Sequence, residues 1–236
     1  MRELDGIAFS VAGSGSGLVV PQCNVDWSEI DLTPLSDRFT VVIVSPRGFA
    51  PSARLGGYSG AGMVADVERV LDHLGVEGYV SFGYSMNGAL ASRLAIDNPR
   101  VLAVVCGGFP TTGDYSGLPD RMRGLIEQAR SDPKAWDEFV TTHDPAAVLA
   151  FYDDLATLAP GTLVDQLACP VHSWWGGADE RLEELGGRAA HLHGLADRGL
   201  HVEVLPGLDH TGALERIELA LPGVLDWLEG LDLSGR

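Results

Sequence analysis

The chain has 236 residues, a hydrophobic content of 45% and a formal net charge of −17. That length and apolar fraction suffice for a sizeable core, and the composition is that of an ordinary globular protein. The charge supports solubility and repels phosphate backbones and anionic lipid surfaces, so neither nucleic acid nor membrane is expected as a partner.

The first residues, Met1-Arg2-Glu3-Leu4-Asp5, lack the basic-then-apolar order of a signal peptide. No apolar run approaches a membrane span. Cys23, Cys106 and Cys169 are odd in number and far apart, which fits neither a disulfide scaffold nor a metal framework. The expected location is a reducing cytoplasm.

Gly6 to Val11 and Leu18 to Pro21 read as two strands joined through Gly13-Ser14-Gly15-Ser16-Gly17. A dinucleotide-binding glycine loop must open a helix, whereas a strand follows here, so a hairpin turn is expected. Phe39 to Val44 is a buried strand that runs into the loop Ser45-Pro46-Arg47-Gly48-Phe49. Met63, Val64, Val67, Val70, Leu71 and Leu74 recur at helical spacing, and Gly75 supplies the stop. Gly78 to Phe82 is the next strand, Val101 to Cys106 the one after. Residues 111 to 165 carry helical patterns without a strand candidate, including Met122 to Ala129 and Ala146 to Leu158. Strands return at Val171 to Trp175 and His201 to Leu205, separated by a helix from about Leu185 to Arg198. A last helix is expected over Thr211 to Leu231, kinked at Pro222-Gly223. Strands alternating with helical segments imply a mostly parallel sheet of about seven or eight strands with helices on both faces. The strandless stretch at about 111–165 reads as a short helical lid within one domain spanning 1–236.

The segment Val80-Ser81-Phe82-Gly83-Tyr84-Ser85-Met86-Asn87-Gly88 carries the most chemistry. It reads as strand, sharp turn and helix, with a serine on the turn and a helix N-terminus behind its hydroxyl. A serine hydroxyl is a weak nucleophile that needs a base, and the base needs an orienting carboxylate. Two later strands end in suitable loops, Gly176-Gly177-Ala178-Asp179 and Gly207-Leu208-Asp209-His210.

Together these segments resemble the α/β-hydrolase superfamily, in its serine-nucleophile branch, across nearly the whole chain. Gly83-Tyr84-Ser85-Met86-Asn87 is similar to the Gly-x-Ser-x-Gly nucleophile elbow, with Asn87 in place of the last glycine. The resemblance implies a catalytic triad of Ser85, Asp179 and His210, in the family's order, with Glu180 as the rival acid. It implies an oxyanion hole built from the backbone N–H groups of Met86 and, on the loop after the third strand, Cys23. The family's His-Gly on that loop is replaced by Pro21-Gln22. Two readings stay open: Cys23 N–H still serves, aided by a side-chain amide from Gln22 or Asn24, or the hole is imperfect. Ser45 to Phe49 resembles the family's Asp-x-Arg-Gly-x loop, where Arg47 is expected to be a packing and ion-pair residue. The Cys23 thiol is expected to be a small apolar side chain and not a nucleophile.

The competing histidines fail on position. His172 lies inside a strand and His201 begins one at the far edge of the sheet. His191 and His193 are two apart on a helix, and His73 is near the end of an outer helix. His143 in the lid is the one that could reach the site as a substrate contact. Gln22, Asn24, Phe109, Trp136 and Phe151 are the candidate substrate-binding residues, and such aromatic groups favour a small-to-medium apolar acyl substrate. A serine at the elbow, where aspartate would suit dehalogenase or epoxide chemistry, points to ester, thioester, lactone or similar acyl chemistry through an acyl-enzyme. No cofactor or metal is expected. A second copy of the chain is the one protein partner considered. The alternatives are a non-hydrolytic enzyme on the same fold (lyase, cyclising thioesterase-like enzyme or acyltransferase) and a slow-turnover ligand-binding protein.

Overall fold

Residues 1–184, 188–198 and 200–233 are described in a computed structural model of the protein. Eight strands form one sheet: β1 (Arg2–Leu4), β2 (Ile7–Ala12), β3 (Ser16–Pro21), β4 (Phe39–Ser45), β5 (Tyr79–Tyr84), β6 (Val101–Gly107), β7 (Val171–Gly176) and β8 (His201–Leu205). Their order across the sheet is β1-β2-β4-β3-β5-β6-β7-β8. β1 and β2 are antiparallel to their neighbours and every other pairing is parallel.

The helices are α1 (Thr33–Ser36), α2 (Gly60–Leu74), α3 (Met86–Leu94), α4 (Leu118–Ser131), α5 (Pro133–Thr142), α6 (Pro145–Leu155), α7 (Arg181–Glu184), α8 (Arg188–Asp197), α9 (His210–Glu215) and α10 (Leu221–Glu229). Of the helix expected from Leu185, residues 185–187 lie outside the described residues.

The strands alternate between two cores, which is why their sequences are apolar almost without interruption. Val19, Val42, Val44 and Val104 pack on one face with α2, α3 and α6. Leu18, Val20, Val41, Val80, Phe82, Ala103 and Val105 pack on the other with Trp27, Leu35 and α10. α2 is closed at one end by Ser59, whose hydroxyl accepts from Gly62 N–H at 3.0 Å, and at the other by Gly75 at φ 68°. α3 is buried along nearly its whole length. A Cβ at its Gly88 would lie 3.1 Å from both Cys106 Sγ and the Gly107 carbonyl, so the small residue lets the helix lie close on β6.

Two expectations need correction. The Gly13–Gly17 turn is not a hairpin: β4 lies between β2 and β3, pairing antiparallel with one and parallel with the other. The turn carries the chain around the start of β4, and a Cβ at Gly13 would sit 2.1 Å from the Ser36 carbonyl and 2.3 Å from that of Phe39. The C-terminal helix is two helices, α9 and α10, separated at Arg216 (φ −108°, ψ 37°) and a 3-10 turn at Ile217–Leu219. Pro222 stands in the first turn of α10, where its missing N–H costs nothing. The helical stretch expected between β6 and β7 is present as α4, α5 and α6.

Candidate active site

The site lies at the C-terminal ends of the parallel strands, where α/β sheets place their ligands. β5 ends at Tyr84 and α3 begins at Met86, leaving Ser85 alone on the turn at φ 57° and ψ −126°. A non-glycine residue there is strained by about 1–3 kcal/mol. The turn is held by Ser85 N–H donating to the Gly107 carbonyl at 2.8 Å and by Ala89 N–H donating to the Ser85 carbonyl at 3.0 Å. Gly83 is required by contact: a Cβ there would stand 2.3 Å from the Asn87 carbonyl oxygen.

Loops after β7 and β8 bring the other two groups to the serine. His210 Nε2 is 3.0 Å from Ser85 Oγ, and His210 Nδ1 is 2.7 Å from Asp179 Oδ2. The Asp179 side chain is fully buried and that of His210 is 12% exposed. The second Asp179 oxygen accepts Arg181 N–H at 3.0 Å, so the buried carboxylate uses both oxygens. Gly177 N–H donates to the Leu205 carbonyl and Ala178 N–H to that of Leu208, clasping the acid loop to the base loop. A Cβ at Gly176 would lie 2.1 Å from the Leu208 carbonyl oxygen, which explains the glycine. Glu180 is exposed, and Asp209 caps α9 by accepting Gly212 N–H at 2.7 Å.

Tyr84 is a part of the site that motif reading passed over. Its hydroxyl donates to the His210 carbonyl at 2.6 Å, and its ring lies 5.1 Å from the imidazole and 4.8 Å from Trp174. Burial, with the charges of Asp179 and Asp209, pushes its ionisation well above the ordinary tyrosine value, so it stays a neutral donor. Its place between the elbow glycine and the serine was the available signal.

The oxyanion loop differs most from expectation. Cys23 N–H donates to Asn87 Oδ1 at 2.6 Å in a buried contact, and Asn24 N–H approaches the same oxygen at 3.4 Å. In this arrangement Cys23 N–H is engaged by a side chain and is not free for an oxyanion. Met86 N–H opens α3, where the first-turn donors have no intrahelical acceptor. Gln22 gives its N–H to the Val44 carbonyl at 2.7 Å and points its side-chain amide at the Ala50 carbonyl, 3.5 Å away. Burial raises the Cys23 thiol far above the usual thiol range, which removes it as a nucleophile.

The remaining candidate contacts separate by burial. Asn24 is exposed on the loop. Phe109 is buried and stacked on Tyr115 at 5.3 Å. Phe151 is fully buried in the core beside Tyr152, so it shapes α6 from inside, contrary to a role in meeting substrate directly. Trp136 is half-buried on α5, stacked on Phe139 at 6.0 Å and under the Arg130 guanidinium at 5.1 Å. His143 stacks on Phe139 at 5.0 Å and meets Phe49 edge-on at 5.9 Å. Arg47 forms the expected ion pair: Nε and Nη2 bind the buried Asp66 carboxylate at 2.7 and 2.6 Å. No group of three or more His, Cys, Asp or Glu side chains among the described residues is arranged to hold a metal. No helix of the described residues is long and apolar enough to cross a membrane.

The sequence matches the alpha/beta hydrolase fold family over residues 16–164, well over half of the chain. The chain belongs to the α/β-hydrolase family. The matched region of this α/β-hydrolase includes Ser85 and stops before Asp179 and His210. Among characterised relatives, a bifunctional esterase/perhydrolase of Acinetobacter calcoaceticus is 27% identical over 233 residues, covering 92% of this chain and 75% of the relative. A dihydrolipoyllysine-residue acetyltransferase component of an acetoin cleaving system from Cupriavidus necator is 36% identical over 110 residues. That match spans 43% of this chain and only 29% of the relative's length. A thermophilic esterase from Thermogutta terrifontis superposes with a TM-score of 0.72 at 20% identity, covering 95% of this chain and 93% of the esterase.

Proposed function

We propose that this α/β-hydrolase is a cofactor-free serine hydrolase acting on small-to-medium esters or related acyl compounds through an acyl-enzyme. The observation that carries the reading is the continuous chain Ser85 Oγ, His210 Nε2, His210 Nδ1, Asp179 Oδ2, at 3.0 and 2.7 Å. His210 takes the Ser85 proton as Oγ attacks the acyl carbon, and Asp179 holds the tautomer and stabilises the imidazolium. The negative charge on the former carbonyl oxygen falls near Met86 N–H and the positive end of α3. His210 then protonates the leaving group. Water enters, gives a proton to His210, and attacks the acyl carbon to release the acid and restore Ser85. The Acinetobacter esterase/perhydrolase supports an ester as the substrate class. The proposed organisation is one domain with α4–α6 as its lid, working in the cytoplasm on a small molecule, alone or as a homodimer.

A fluorophosphonate probe tests the mechanism. The wild-type protein is expected to be labelled at Ser85 and to cleave p-nitrophenyl acetate and butyrate, with both activities absent from Ser85→Ala. A folded wild-type protein that resists labelling would remove the serine-hydrolase reading. Labelling without ester cleavage would move the reading to a lyase, cyclising or acyltransfer reaction.

Tyr84 supplies a second measurement. Tyr84→Phe removes the donor to the His210 carbonyl while keeping the ring packing. Loss of a buried hydrogen bond to a backbone carbonyl costs about 1 kcal/mol. Stability is expected to fall by that amount in urea unfolding, and kcat by roughly 3- to 10-fold with KM nearly constant, as loosened positioning of a base predicts. A change in KM with kcat preserved would assign Tyr84 to substrate binding instead.

A further inference from the structure

We propose that Asn87 is a removable stopper on the oxyanion loop: its side-chain oxygen holds Cys23 N–H in the resting protein, and turnover requires that contact to open. The inference rests on the serine-hydrolase reading and adds a control element to the same site.

Asn87 is the second residue of α3 and stands two positions after Ser85. Its carboxamide is fully buried, and the two backbone donors that approach it fix which end faces the loop. Turning the amide over would set an NH2 group against Cys23 N–H, donor against donor. The oxygen is therefore the atom at 2.6 Å from Cys23 N. One N–H cannot give a full hydrogen bond to that oxygen and to a developing oxyanion at once, and two such oxygens repel each other. With the stopper in place, the donor available to the oxyanion is Met86 N–H.

A purely structural strut would be expected to satisfy both ends of its amide, because buried polar groups are paired. Asn87 does not. Its Nδ2 is buried without a hydrogen-bond partner among the described residues. The closed contact thus gains one bond while leaving a donor orphaned; on opening, an incoming acyl group offers Cys23 N–H a charged acceptor, and Asn24 N–H, already 3.4 Å from Asn87 Oδ1, is placed to keep that oxygen paired. Glycine, the residue expected at this position of the elbow, has no side-chain oxygen and would leave the loop donor free. The substitution therefore converts a fixed hole into one that substrate must complete.

Asn87→Ala and Asn87→Gly test this directly. Both are expected to raise kcat on p-nitrophenyl butyrate by about 10- to 100-fold, a part of the roughly 10²–10³ that one full oxyanion donor is worth, and to leave KM within about threefold. Fluorophosphonate labelling should accelerate in parallel. A folded variant whose kcat is unchanged or lower overturns the stopper and makes Asn87 a strut. If both variants fail to fold, the wild-type protein carrying a phosphonate on Ser85 decides the matter crystallographically. Cys23 N–H is expected on the phosphonyl oxygen with Asn87 Oδ1 withdrawn, and an intact Asn87–Cys23 contact in that adduct overturns the proposal. The two readings fail separately. Absence of Ser85 labelling in the wild type removes the hydrolase mechanism and the stopper with it, whereas Ser85-dependent activity that the variants do not increase removes the stopper alone.

Discussion

Asp179→Asn is expected to lower kcat for ester hydrolysis by about three to four orders of magnitude while the protein stays folded. The carboxylate accepts His210 Nδ1–H at 2.7 Å and thereby leaves Nε2 as the unprotonated atom facing Ser85 Oγ. A carboxamide of the same shape can turn its NH2 toward Nδ1. The ring proton then moves to Nε2, and the base loses its ability to accept the serine proton. The Arg181 N–H contact at 3.0 Å can persist on the remaining oxygen, so the acid loop keeps one of its two anchors. Steady-state rates on p-nitrophenyl butyrate, with a thermal melt to show a folded chain, measure the effect. A loss of less than tenfold would mean that Asp179 does not govern the tautomer.

Acidification from about pH 7 to pH 5 is expected to remove about 3 kcal/mol of folding stability. His172 is fully buried between His201 at 4.5 Å and Trp227 at 5.3 Å, with neither ring nitrogen hydrogen-bonded among the described residues. Burial, assisted by the His201 charge, pushes its pKa down to about 3. His191 lies against Trp175 with Nδ1 on the Thr112 hydroxyl, and burial lowers its pKa to about 4. The unfolded chain takes up protons at both groups below about pH 6.5, where the folded chain still refuses them. Stability is therefore complete above that pH and is lost as pH falls toward 4 and 3. Glu203, 3.8 Å from His172 and with its own pKa raised by burial, offsets part of the loss because the folded chain takes up that proton at higher pH than the unfolded chain does. Urea unfolding across pH 5 to 8 should show the slope, and His172→Phe should remove about half of it. A pH-independent free energy would contradict the burial account.

The sheet was legible where apolar runs are long enough to show themselves. β2 to β8 all begin or end within a few residues of the segments read from sequence. β1 was missed because Arg2-Glu3-Leu4 is short, mostly exposed and polar, leaving no alternation to detect. The hairpin failed for a different reason. A glycine-rich turn fixes that the chain reverses, while the neighbour of each strand is decided by β4, which arrives later and fits between β2 and β3. Ser85, Asp179 and His210 could be singled out because each follows a strand on a turn of recognisable form. The contact between Cys23 and Asn87 could not, because it joins residues 64 positions apart through a side chain whose direction only packing determines. The fate of Phe151 was equally hidden, since an aromatic residue on an amphipathic helix reads alike whether it faces the core or a ligand.

The fit of Gly176 against Leu208 has a consequence for how such a protein can change. With the Leu205 and Leu208 carbonyls receiving the acid loop and no room for even a methyl group between the backbones, the acid and base loops are a single mechanical part. Lengthening either one alone would displace Asp179 and His210 relative to each other. If α4–α6 act as the proposed lid, variation in what the protein accepts is expected there, where residues can be exchanged without moving Asp179 against His210.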